Sequence, residues 1–106
     1  RDNISISNIN GAMAMNVLAV ELSMRLFDSN SLKDKRSVVK SILAKMHQRY
    51  NVSIAEVSAQ DMLNQAVIGL AVVNSSRVLC QKIVDKIIEE IESNYPVEIY
   101  QINEIE

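Results

Sequence analysis

Leu18, Val20, Leu22, Met24 and Leu26 alternate with Ala19, Glu21, Ser23 and Arg25, a period of two that predicts a strand with one buried face. Phe27 to Ser31 is a polar connection. Ser31-Leu32-Lys33-Asp34 has the spacing of a capping box, in which a hydroxyl takes one orphan amide of a helix start and a carboxylate reaches back for another. The helix predicted to follow carries Leu32, Val39, Ile42, Leu43, Met46 and Tyr50 at spacings of three and four, and should end near Asn51, a residue that tolerates a left-handed terminus. Asn51 to Val57 and Gln65 to Val73 read as a second and third strand, joined by the polar Ser58-Ala59-Gln60-Asp61. Asn74-Ser75-Ser76 offers caps for a second helix whose Leu79, Cys80, Ile83, Val84, Ile87, Ile88 and Ile91 form one wide apolar face. Tyr95-Pro96 stops it, and Val97 to Ile102 is a last strand.

The order strand, helix, strand, strand, helix, strand is that of an α+β, ferredoxin-like βαββαβ sandwich. It predicts a four-stranded antiparallel sheet with both helices on one face, which suits helices with a single apolar stripe. One such domain is expected over residues 15–106. The polar, aperiodic residues 1–14 are expected to be an artificial remnant of recombinant expression, with Met15 the natural start, or a disordered extension; a native extension in which Ile4, Ile6 and Ile9 add a short strand is the alternative. The longest apolar run, Ala66 to Val73, has eight residues, enough for a buried strand and too few for a membrane span.

Composition narrows the class without naming a function. The chain has 106 residues, 48% hydrophobic and 23% charged, which fits one globular domain. Its single cysteine excludes a disulfide framework or a cysteine-based metal site and fits a reducing compartment, so a cytoplasmic location is expected. Charge changes the picture more. The formal total is −2, yet Lys33 to Arg49 holds six bases against one acid, net +5, while Arg77 to Glu106 holds three bases against seven acids, net −4. At about 100° per residue, Lys33, Arg36, Lys40 and His47 project along one narrow flank of the first helix, beside its apolar stripe. Such a strip can lie against a phosphate backbone and displace condensed counterions; a solvated basic face that pairs with the acidic second helix is the plainer account. Lys35 falls inside the apolar arc and is expected to snorkel off the helix start, although a lysine at a buried rim can also mark a site.

Other chemistries find little support. An acylphosphatase-like use of this topology needs an anion-cradling loop with an arginine after the first strand, and Phe27 to Ser31 has neither glycine nor arginine. Base stacking in the manner of RNA-recognition motifs needs aromatics on the central strands, and those strands hold none. Glu56, Gln60 and Asp61 cluster around the second connection as a possible polar site, though Gln60 and Asp61 are equally natural turn residues. His47 has no partner at metal-ligand spacing, and Cys80 should be a core thiol. No catalytic residue, metal or cofactor is expected.

The segment from Ser31 to Ser41 (SLKDKRSVVKS), then Asn51 to Val57 (NVSIAEV), Gln60-Asp61 and Ala66 to Gly69 (AVIG), resembles the YlxP-like bacterial family over essentially all of residues 15–106. The resemblance implies a small cytoplasmic ferredoxin-like protein of uncharacterised function, encoded among translation and ribosome-assembly genes, which raises the expectation of RNA or ribosome contact. Members of that family often carry Trp and Arg after Gln-Asp, where this chain has Leu63 and Gln65, so a role resting on that aromatic does not carry over. The expected function is therefore a non-enzymatic module that contacts ribosomal RNA or a ribosomal subunit through Lys33, Lys35, Arg36, Lys40 and His47. The alternative is a homo-oligomeric protein-interaction or regulatory module without nucleic-acid binding. Its surface would be Val67, Gly69, Ala71 and Val73 on the open sheet face, ringed by Glu21, Ser23 and Arg25, if those small residues do not merely tolerate exposure.

Overall fold

A computed structural model describes residues 14–106; the expectations for residues 1–13 lie outside it. The elements follow in the order β1 (Asn16–Leu26), α1 (Leu32–Arg49), β2 (Ser53–Ser58), β3 (Gln65–Asn74), α2 (Arg77–Asn94) and β4 (Val97–Ile105). The strands form one sheet in the order β2-β3-β1-β4, antiparallel at every junction. This is the ferredoxin-like α+β arrangement that the hydrophobic pattern predicts. No helix among the described residues is long and apolar enough to cross a membrane.

The two strands with the fullest apolar alternation take the centre. Leu18, Leu22 and Met24 of β1 and Ile68, Leu70 and Val72 of β3 are buried together against Val39, Ile42 and Met46 of α1 and Cys80, Val84, Ile87 and Ile91 of α2. Each large aliphatic side chain removed from water there stabilises the fold by about 1.5–3 kcal/mol before entropy is counted. The caps work as the spacing requires, with one shift of detail. Ser31 Oγ accepts the Asp34 amide at 3.0 Å, but the Asp34 carboxylate accepts the amide of Asn30 at 3.2 Å, not that of Ser31. Ser76 Oγ accepts the Leu79 amide at 3.2 Å.

Two boundaries differ from the sequence expectation. α1 leaves through an extended Tyr50 (φ −131°) and not through a left-handed Asn51, because the Tyr50 ring packs on the core and its hydroxyl donates to Glu90 at 2.7 Å. β4 runs on to Ile105, since the long β1 still offers Glu21, Val20 and Ala19 as partners for Asn103, Glu104 and Ile105. Ladder hydrogen bonds carry the strand past the point where its apolar alternation fades.

Candidate functional site

α1 lies over β2, an edge strand, and the two leave a groove of about 620 Å³ between them. Helical spacing sets its character. Val39, Leu43 and Ala44 supply an apolar floor with Ile54 of β2, while Arg36, Lys40 and His47 rise along one side and Glu56 closes another. The basic flank expected from the sequence is thus the rim of a concave surface. Lys33 stands exposed nearer the helix start and is not part of the lining.

The flank is electrostatically unspent. Among the described residues Lys33, Arg36, Lys40 and His47 make no ion pair, and all are exposed. Helix-to-helix pairing occurs elsewhere, where Arg49 meets Glu90 of α2 at 3.0 Å. The acidic second helix therefore neutralises the C-terminal end of α1 and leaves the groove side alone. Glu90 also accepts from Tyr50; that hydrogen bond first, then burial and the carboxylate's charge, hold the phenol above its usual 10.0.

Lys35 corrects the expectation that it snorkels and stands with the exposed cations. Its side chain is 0% exposed, so it does not share the flank's surface. Side chains on a helix lean toward its N-terminus, and here that direction leads under the β2–β3 turn. Nζ donates to the carbonyl of Ala59 and lies 2.8 Å from Glu56 Oε2. Ala59 holds a left-handed φ of 62°, a conformation costly for a residue with a Cβ; the ammonium beneath its carbonyl helps hold it.

This pairing also divides the polar cluster expected at Glu56, Gln60 and Asp61. Glu56, with a side chain 17% exposed, turns to the helix side and joins Lys35. Gln60 and Asp61 are the exposed central residues of a turn closed by the Met62 amide on the Ala59 carbonyl at 3.1 Å. The signal for the ion pair was present in the sequence as two misfits, a lysine in an apolar helical arc and a glutamate in phase with Ile54 on a strand. What could not be read was that they meet. The groove floor was equally hidden, because nothing local marks β2 as an edge.

The central strands β1 and β3 carry no aromatic side chain. Phe27 and Tyr100 are half-exposed at a loop and on the edge strand β4. Among the described residues no group of three or more His, Cys, Asp or Glu side chains is placed to hold a metal ion.

A family model described as "Protein of unknown function (DUF503)" matches residues 17–104, from the first strand through the last. "Uncharacterized protein YlxP" of Bacillus subtilis (strain 168) is 40% identical over 68 residues, which cover 64% of this chain and 74% of that protein. Both agree with the resemblance carried by the SLKDKR and NVSIAEV segments.

Proposed function

The chain belongs to the DUF503 family of proteins of unknown function, and on that premise we propose that it is a cytoplasmic, non-enzymatic module that binds RNA, as a ribosomal subunit displays it, through the α1 side of the groove. One observation carries the reading: Lys33, Arg36, Lys40 and His47 share a flank without a single ion pair among the described residues, although acids on α2 and β2 pair with other bases of the same helix. Lys33, Arg36 and Lys40, unneutralised in a row among the described residues, release phosphate counterions at no cost in broken salt bridges. With no aromatic on the central strands, recognition runs through backbone phosphates and shape, not base identity.

The test is fluorescence anisotropy with a structured ribosomal RNA fragment across a salt series. Three phosphate contacts give a slope of log K against log salt of about −2 to −3. Reversal of Lys33, Arg36 and Lys40 to Glu should abolish binding and leave urea stability within about 0.5 kcal/mol, since all three are exposed. Binding that is absent at low salt, or unchanged by the reversal, refutes the reading. The apolar floor and the open outer edge of β2 favour a second occupant for the same rim, an extended acidic peptide adding a strand; it is the reading that remains if RNA fails and such a peptide binds.

A further inference from the structure

The sheet has two faces and the helices cover one. β3 runs from Ala66 to Val73 without a polar residue, the pattern of a strand covered on both sides. Only Ala66, Ile68, Leu70 and Val72 are buried beneath the helices. Val67, Gly69, Ala71 and Val73 point outward, in register with Ser23, Glu21, Ala19 and Val17 of β1. Val57, on the bulged part of β2, leans over Gly69, its Cγ1 only 2.9 Å from where a Cβ on that glycine would stand. The result is an apolar patch on which Val17, Val57 and Val73 are 46%, 45% and 55% exposed, bordered by Ser53 of β2, Ser23 of β1, and Gln101 and Asn103 of β4.

We propose that this face is a homodimer interface, its missing layer being the same face of a second copy. Charge is the first reason. Among the described residues Glu21 is the one ionisable side chain amid the apolar part of the face, and Arg25 and Glu98 at the far corner pair with each other. The apolar patch therefore offers little to a charged partner and little to repel its own copy, and the neutral Ser23, Ser53, Gln101 and Asn103 make a polar border around it. Shape is the second. Ala55, Gly69 and Ala71 floor a shallow hollow of about 260 Å³ with Val57 at its side, so a two-fold rotation sets the projecting valines of each copy against the small residues of the other. Area is the third. The strands hold 11, 6, 10 and 9 residues, each about 3.4 Å long and about 4.8 Å from its neighbour, and so span roughly 590 Å² in plan and more along the side-chain relief. That is the order of the roughly 800 Å² per partner in a stable interface. α1 lies in the other layer, so the dimer stands or falls independently of RNA binding.

Sedimentation equilibrium of the full chain should give a dimer at micromolar concentration. Ala71→Glu sets like charges against each other in the interface and should weaken association by about a hundredfold or more with the circular dichroism spectrum unchanged. Glu21→Gln removes the uncompensated charge that the dimer buries and should tighten association about tenfold. A wild-type chain that stays monomeric at millimolar concentration overturns the proposal, as does a dimer indifferent to Ala71→Glu. Should Ala71→Glu fail to fold, Glu21→Gln decides: unchanged affinity means that the face is not buried.

Discussion

Replacing Lys35 by Met keeps the apolar stem and deletes the ammonium. In the native chain that ammonium is fully buried, 2.8 Å from Glu56 Oε2, and donates to the Ala59 carbonyl. Removing one member of a fully buried pair costs about 3–5 kcal/mol, because the surviving charge is left desolvated and uncompensated. Glu56 is 17% exposed, so water can reach part of its carboxylate, and the expected loss is nearer about 2–3 kcal/mol. For a domain of this size that lowers Tm by roughly 10–20 °C. Urea unfolding of Lys35→Met, Glu56→Leu and the double variant closes the cycle. The double variant should return to within about 1 kcal/mol of wild type, since an apolar pair of similar volume replaces the ionic one. If Lys35→Met costs less than about 0.5 kcal/mol, the pair behaves as a solvated surface ion pair and the account of a desolvated lysine beneath the turn is wrong.

Further outcomes follow from the caps and from Tyr50. Ser31→Ala removes the acceptor for the Asp34 amide and should cost about 1 kcal/mol in urea, with Ser31→Asp restoring most of it; an unaltered midpoint for the alanine variant means the cap is idle. The folded chain holds the Tyr50 phenol proton more tightly than the unfolded chain does, chiefly through the hydrogen bond to Glu90. That contribution is complete below the ordinary phenol value of 10.0 and is lost as pH rises through the raised folded value. Stability of Tyr50→Phe should therefore decline less steeply with alkaline pH than that of wild type, and parallel declines would rule the effect out.

The charge pattern and the tertiary placement contribute unequally to the site. Lys33, Arg36, Lys40 and His47 could be set on one flank from helical geometry alone, because an α-helix fixes the direction of each side chain about its own axis. Lys35 obeyed the same wheel but not its expected fate. Whether a lysine at an apolar position reaches water depends on what lies beyond its tip. Here that is the β2–β3 turn with an acceptor and an acid, both more than twenty positions away in sequence.

Element order, the capping serines Ser31 and Ser76, the core positions of β1, β3 and both helices, and the fold were legible in the sequence, since each follows from local periodicity and local hydrogen bonding. The structure alone decided that β2 and β4 are the edges, that α1 and β2 enclose a groove whose rim carries Arg36 and Lys40 without an ion pair among the described residues, and that Glu56 parts from Gln60 and Asp61 to neutralise Lys35. These depend on which surfaces meet in space, and a period of two or of about 3.6 residues records only which way a side chain faces, not what it faces.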